Sequence, residues 1–579
     1  MANDPTPRSP QPEAFAPLQP WTEAMERAQA LVGDFWARAA TAGQGVNPAA
    51  GPMADPGAMM KAGAEFWMQS ARVWQDWLTA AAPASLVKPE ADKRFRAPEW
   101  RQPPFDAIAR NYLAVAQRLE AGAARVPGLD AASHEKLKFM TRALLDAMSP
   151  SNLPFTNPEV MKKTQETGGA NLLKGLENML HDLNAGQLTH TDAHAFAVGK
   201  NLAMTPGKVV KETPLYQLIH YAPTTNTVFE TPLVIFPPWI NRFYILDLAP
   251  EKSFVKWAVD QGISLFMVSW KSADASMRET VFDDYVVRGQ VDAIDTVRDL
   301  LGVESVHTIG YCVAGTTLAA TLALLEARAQ ADKVASATFF TAQVDFEDAG
   351  ELKHFLGDEA MSGIADMSKD TGTMDGRKMA AVFNALRGRD LIWNTVIDHY
   401  LLAKDYKAFD LLHWNGDTTN LPAAWHQDYL QNFYRGNKLA QPGGVSVDGV
   451  AIDLGRVRTP SYIQAGREDH IAPAQSVFKI THHFKGPMRF VLAGSGHIAG
   501  VVNHPSANKY GYALNDGSPA TLDDFIAGAT EHEGSWWPDW LAWLSPQSGK
   551  QVSVKGARRP GKGKLAAIED APGRYVQER

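Results

Sequence analysis

Cysteine is almost missing from this chain: 579 residues contain one, Cys312. One thiol can form no internal disulfide, and it cannot build a thiolate metal site, which needs about two to four ligands. A disulfide-stapled scaffold is excluded and no metal is expected. A basic excess is missing too. Lys+Arg number 56 against 64 Asp+Glu, a net charge of −8, so nucleic acid, whose binders carry basic patches, is not the expected partner. No long apolar run suits a bilayer. The longest uncharged stretch, 305–325, is interrupted by Gly310, Gly315 and the pair Thr316-Thr317, and reads as strand, turn and buried helix rather than a transmembrane segment. The opening Met-Ala-Asn-Asp-Pro-Thr-Pro-Arg-Ser-Pro lacks the basic start and apolar stretch of a signal peptide. No P-loop or dinucleotide fingerprint occurs, so no cofactor is expected. A soluble, cytoplasmic protein is the expectation.

What is present suits several domains: 45% of residues are hydrophobic, and the length allows about two to four domains. Residues 1–20 are proline-rich and read as a disordered arm. A loose Ala/Gly/Met/Pro linker follows at about 39–64. Phe66, Trp67, Val73, Trp74 and Trp77 recur at helical spacing. Helical patterns continue over 107–120, 134–148 and 159–183, so residues 1–200 read as a mainly helical N-terminal region. From about residue 205 the pattern changes. Short β-branched or aromatic runs at 233–236, 263–269, 306–309, 335–340, 461–464 and 489–492 alternate with helical segments at 254–261, 285–301 and 313–327. That alternation predicts a parallel sheet with helices on both faces. The stretch 345–455 breaks it, is too long for a loop, and is expected to form an inserted cap.

The lone cysteine sits where the run 306–309 enters Gly310-Tyr311-Cys312-Val313-Ala314-Gly315 and a helix follows. Strand, tight turn of small residues, helix: this is the nucleophile elbow of the α/β-hydrolase fold, with cysteine in the usual serine place. A nucleophile there stands clear of the sheet, above helix N–H groups that favour thiolate and oxyanion alike. Ala314 occupies the second glycine position of the pattern, with Gly315 next; alanine is small enough for the turn to survive. The elbow needs an acid and then a histidine in chain order. Ser461-Tyr-Ile-Gln-Ala-Gly-Arg-Glu-Asp469 offers an acid at the tip of a strand-to-loop segment. Arg489-Phe-Val-Leu-Ala-Gly-Ser-Gly-His497 offers a glycine-flanked histidine one βα unit later. Glu468 competes with Asp469 for the acid. His470 competes with His497, but it follows the acid directly and is read as a structural residue, and His504 as packed or superficial.

Several separated blocks carry a wider resemblance. Thr231-Pro-Leu-Val-Ile-Phe-Pro-Pro-Trp-Ile-Asn-Arg-Phe-Tyr-Ile-Leu-Asp-Leu248, Val268-Ser-Trp-Lys-Ser-Ala-Asp-Ala-Ser-Met277, Phe409-Asp-Leu-Leu-His-Trp-Asn-Gly-Asp-Thr-Thr-Asn-Leu-Pro422 and Gly534-Ser-Trp-Trp-Pro-Asp-Trp540 are similar to blocks of the polyhydroxyalkanoate synthases. The similarity runs from about residue 100 to the C-terminus. It maps the family's cysteine, aspartate and histidine onto Cys312, Asp469 and His497. The length and the Gly-Arg-Glu-Asp-His-Ile-Ala-Pro block look like the single-chain class I enzymes. The resemblance implies (R)-3-hydroxyacyl-CoA, chiefly 3-hydroxybutyryl-CoA, as substrate, a growing polyester chain at a granule surface as product, and a homodimer.

The expected chemistry has His497 deprotonate Cys312, whose sulfur takes the acyl group. The Val313 N–H and a second N–H near Ile240 would form the oxyanion hole. Arg387, within Leu386-Arg-Gly-Arg-Asp-Leu-Ile-Trp393, is a candidate for CoA phosphates. Trp536, Trp537, Trp540 and Trp543 are expected on a helix packed against the core, and 549–579 is expected as a flexible basic tail. A cysteine-dependent thioesterase or polyester depolymerase would fit the elbow and triad equally well. A non-catalytic granule coat would need neither.

Overall fold

The computed structural model describes residues 88–578; the arm, the linker and the aromatic segment 66–77 lie outside the described residues. The chain divides into two compact units, one containing residues up to His190 together with Arg387–Tyr406, the other 191–386 with 407–579.

The first unit is helical. Phe105–Ala123 places Ile108, Ala109, Tyr112, Leu113 and Ala116 on one face, the helical period, and they pack with Phe95, Trp100 and Leu145. Ala131–Ala147 starts at Asp130, whose carboxylate accepts the Ser133 N–H, an ordinary N-cap. The predicted helix 159–183 is broken in two, Pro158–Thr167 and Ala170–Ala185, because Gly168 and Gly169 both adopt positive φ. Arg387–Tyr406 belongs here rather than to the expected cap. Gly175 lies flat against the Tyr400 carbonyl, where a Cβ would come within 1.7 Å. Asn171 and Asn178 donate to the Leu401 and His399 carbonyls, and Arg389 pairs with Asp146.

The second unit is built on an 11-stranded sheet: β1 Gly207–Glu212, β2 Tyr216–Tyr221, β3 Leu233–Phe236, β4 Leu265–Trp270, β5 Val306–Tyr311, β6 Val334–Phe340, β7 Ser461–Gly466, β8 Met488–Ala493, β9 Tyr512–Leu514, β10 Thr530–His532 and β11 Glu569–Asp570. The spatial order is β10-β9-β8-β7-β6-β5-β3-β4-β2-β1-β11. Strands β4, β3, β5, β6, β7 and β8 are mutually parallel, and each of the six was legible as an apolar run. The edges correct the expectation of a parallel sheet: β1, β2, β9, β10 and β11 pair antiparallel. Strands β1, β9, β10 and β11 are short or half-exposed and lack the continuous apolar signature of buried parallel strands. With helices Phe254–Asp260, Asp292–Leu301 and Val313–Ala327 between the strands, this is the expected α/β-hydrolase fold.

Two further readings are settled by packing. Trp536, Trp537 and Trp540 are buried against the core, as expected, and their indole N–H groups donate to Gly500, Val501 and Thr338. The expectation of a flexible tail over 549–579 is corrected. Gln551–Ser553 pairs with Thr227–Phe229, and Glu569–Asp570 extends the sheet edge beside β1. Arg558 is buried, donating to the Phe229 and Glu230 carbonyls. The guanidinium of buried Arg242 donates to the Tyr575 and Glu578 carbonyls. The basic residues misled because the docking is done by backbone and a few side chains, which composition does not register.

Candidate active site

Strand β5 ends at Tyr311, and Cys312 turns the chain with φ 54° and ψ −126°, a strained left-handed conformation for a residue with a Cβ. The Cys312 N–H donates to the Phe340 carbonyl on β6, and its own carbonyl accepts the Gly315 and Thr316 N–H groups as the helix begins. The turn closes only because two backbones touch. A Cβ on Gly310 would lie 2.5 Å from Gly315 Cα, and one on Gly315 would lie 2.4 Å from Ala342 Cβ. The close approach is therefore at Gly315 and not at position 314. Ala314 is buried without conflict and its carbonyl accepts from Gln290, so the departure from the glycine pattern leaves the elbow intact.

Asp469 and His497 come from the loops after β7 and β8. His497 Nδ1 stands 2.7 Å from Asp469 Oδ2, while Asp469 Oδ1 accepts the Ile471 and Ala472 N–H groups at 2.8 and 2.9 Å. Those two amides fix the carboxylate plane, and the carboxylate in turn fixes the imidazole tautomer. The loops interlock: the Glu468 N–H donates to the Ser495 carbonyl, and Gly466 and Gly496 lie against the opposite loop, where a Cβ would approach within 3.1 Å of backbone oxygen. Burial disfavours the His497 imidazolium, but the Asp469 carboxylate and the Cys312 sulfur outweigh it and raise the pKa to about 10. The buried Asp469–His497 pair thus lies within electrostatic reach of the half-buried Cys312 sulfur, an arrangement that can hold a proton on the imidazole.

Of the competitors, Glu468 is exposed, and His504 caps a short turn through Ser506 and packs edge-on to Trp537. Both oxygens of Asp469 are taken as described, and the imidazole on it is that of His497, not the adjacent His470. Sequence reasoning missed Tyr311, whose hydroxyl donates to the His497 carbonyl at 2.8 Å. Its place directly before Cys312 was the only available signal. The tryptophans that bond Gly500 and Val501 brace the same histidine loop from below.

A cavity of about 40 Å³ opens beside Cys312, lined by Cys312, Val313 and Ile240 and by Leu352, Met379, Phe383, His426, Tyr429 and Leu430 of the stretch 345–455, among others. That is room for about two waters, against roughly 300–1,000 Å³ for a site holding a small molecule. The cap is shut. Val313 and Ile240 are therefore brought beside Cys312, and Val313 opens its helix, where N–H groups lack intrahelical acceptors. Arg387 is not among them: it belongs to the helical unit and its guanidinium pairs with Asp390. Among the described residues no cluster of His, Cys, Asp or Glu could hold a metal ion, and no helix is long and apolar enough to cross a membrane.

Residues 91–258 match the family described as the poly-beta-hydroxybutyrate polymerase (PhaC) N-terminus, and residues 258–503 match the alpha/beta hydrolase fold. A poly(3-hydroxyalkanoate) polymerase from Methylorubrum extorquens is 43% identical over 533 residues, covering 90% of this chain and 87% of its own. The chain belongs to the poly(3-hydroxyalkanoate) polymerase family. The polymerase subunit PhaC of Cupriavidus necator is 39% identical over 573 residues, covering 98% of this chain and 96% of its own. Among solved structures, an esterase from Exiguobacterium antarcticum aligns with 51% of this chain and 92% of its own at 12% identity and a TM-score of 0.28. Members of the polymerase family are transferases, and the elbow of this one carries a thiol.

Proposed function

We propose that this polymerase transfers (R)-3-hydroxyacyl groups, chiefly 3-hydroxybutyryl, from CoA to a growing polyester through an acyl thioester on Cys312, releasing CoA. The observation that carries the reading is a single cysteine on a strained elbow, served by the buried Asp469–His497 pair, in a chain of the polymerase family.

The steps follow from the groups present. His497 takes the Cys312 proton. The sulfur attacks the thioester carbonyl, forming a new C–S bond as the bond to CoA breaks, and CoA leaves with the proton from His497. The oxyanion formed on the way is held by the Val313 N–H and a second N–H at Ile240. The hydroxyl of the next 3-hydroxyacyl-CoA then attacks the acyl-enzyme. A C–O bond forms, the C–S bond to Cys312 breaks, and the hydroxyl proton passes through His497 to the departing sulfur. Cys312 next reclaims the lengthened chain from its CoA thioester. Exchange between thioesters is nearly thermoneutral, which suits a thiol nucleophile. Water reaching the acyl-enzyme would divert it to free acid, and the closed, largely apolar cavity opposes that. Substrate entry then requires the cap to move.

Because the chain has one thiol, passing the polymer between two thiols would take a second protomer, and a homodimer at the surface of its polyester granule is part of the proposal. The test is to incubate purified protein with (R)-3-hydroxybutyryl-CoA and follow free CoA and insoluble product. The expected result is CoA with polymer, and Cys312→Ala abolishing both. CoA with free acid would establish a thioesterase instead, no turnover a coat protein, and normal turnover by Cys312→Ala would sink the mechanism.

A further inference from the structure

Of the buried polar side chains that line the cavity at Cys312, two have no hydrogen-bond partner among the described residues. Thr341 follows directly on Phe340, whose carbonyl accepts the Cys312 N–H, so it stands beside the nucleophile at the end of the neighbouring strand. It is fully buried, and its φ of 41° is unfavourable for a β-branched residue. Its backbone N–H is committed to the Gln464 carbonyl, yet its hydroxyl has no hydrogen-bond partner among the described residues. His426, on the cap helix Ala423–Asp428, lines the cavity from the other side. It is 3% exposed, and neither ring nitrogen has a partner among the described residues. Burial lowers its pKa to about 4, so near neutral pH it carries one N–H and one lone pair. A buried polar group without a partner is costly, and two facing one small void point to a ligand that completes them.

The rest of the lining says which ligand. Thr316, Gln343 and Tyr434 are already hydrogen-bonded within the protein, and Ile240, Val313, Leu352, Met379, Leu430 and Ile471 are apolar. A ligand that suits apolar walls and the His426 N–H and Thr341 hydroxyl is itself largely apolar, with carbonyl oxygens as acceptors. A polyester chain has that chemistry: one ester carbonyl per unit, with aliphatic carbon between.

We propose that His426 and Thr341 form a subsite that donates hydrogen bonds to the ester carbonyl of the acyl unit next to the one bound at Cys312. This rests on the polymerase reading above and adds a chain-recognising site to it. The consequence is a preference for acyl groups already longer than one unit. A single 3-hydroxybutyryl thioester presents only the reacting carbonyl, whereas its linear dimer also presents the neighbouring ester.

The experiment compares CoA release in single turnovers from 3-hydroxybutyryl-CoA and from the CoA thioester of the linear hydroxybutyrate dimer, each over a range of concentration. The wild type should half-saturate at lower concentration with the dimer. His426→Phe should raise the dimer value about tenfold relative to the monomer value, the loss of about one good hydrogen bond. His426→Asn, which keeps an N–H donor, should recover part of the preference. Should His426→Phe fail to fold, Thr341→Val, alike in shape but without the hydroxyl, reads the same ratio. Equal shifts for monomer and dimer, as from general damage to the cap, would overturn the subsite, and so would an unchanged ratio. A wild type that makes no polymer would overturn the polymerase reading and the subsite with it. Polymer formation with an unaltered ratio in the variants would overturn the subsite alone.

Discussion

Replacing Asp469 by asparagine probes the relay with little change of shape. Asn keeps an oxygen for the Ile471 and Ala472 amides but turns an NH₂ donor toward His497 Nδ1, where the carboxylate oxygen now stands 2.7 Å away. The imidazole can meet that donor only by moving its proton to Nε2, and Nε2 can then no longer accept the thiol proton. The lost charge matters as well. Opposite charges about 4 Å apart at an effective dielectric of about 20 attract by about 4 kcal/mol, roughly 3 pKa units. That is the size of the rise that brings His497 to about 10. With the carboxylate gone, the Cys312 sulfur alone opposes burial, and His497 in the variant should titrate well below about 10. CoA release from (R)-3-hydroxybutyryl-CoA should fall by about 10²–10⁴. Alkylation by iodoacetamide gives an independent reading, because one cysteine in the chain makes the label report Cys312 alone. At pH 7 the variant should alkylate at least about tenfold more slowly, having lost the imidazolium that favours the reactive thiolate. Wild-type CoA release, or superimposable alkylation profiles from pH 5 to 10, would refute the relay.

Two further outcomes follow from burial. His220, His307 and His426 are held neutral by burial, with pKa values lowered to about 3, 4 and 4. Unfolded, each titrates near 6.5. Below about pH 6.5 the unfolded chain therefore binds more protons, and stability should fall with pH by up to about 1.4 kcal/mol per unit per histidine, down to about pH 4. His497 acts with the opposite sign: its contribution is present below about pH 6.5 and is lost as pH rises through about 10. Urea midpoints should drop between pH 7 and 5 and His307→Gln should flatten that drop; a level midpoint would contradict neutral burial. Truncation after Arg574 removes the Tyr575 and Glu578 carbonyls that accept from buried Arg242, and should cost about 3–5 kcal/mol in urea unfolding. No change would mean that the C-terminal segment is the loose tail its composition suggests.

The parallel strands and the elbow were legible because each is a local pattern: a run of apolar residues buried on both faces, or small residues around one nucleophile. The helix Val313–Ala327 matches its sequence-based bounds because a stretch rich in alanine and leucine, uncharged up to Glu326, carries it into the core. The antiparallel edges were not legible, since a strand such as Thr530–His532 owes its existence to a neighbour and not to its own residues. Nor was the transfer of Arg387–Tyr406 to the helical unit, which depends on Gly175 admitting a carbonyl that no side chain would.

By itself the sequence determined the fold class, the residue that stands at the elbow, and the chain order of Asp469 and His497, since chain order and residue type survive in one dimension. Only the tertiary structure decided that Gly315 and not position 314 closes the elbow, that Tyr311 and two indoles hold the histidine loop, and that His426 and Thr341 share a void with Cys312. Those are distances between residues remote in the chain. Packing sets them, and no local pattern encodes them.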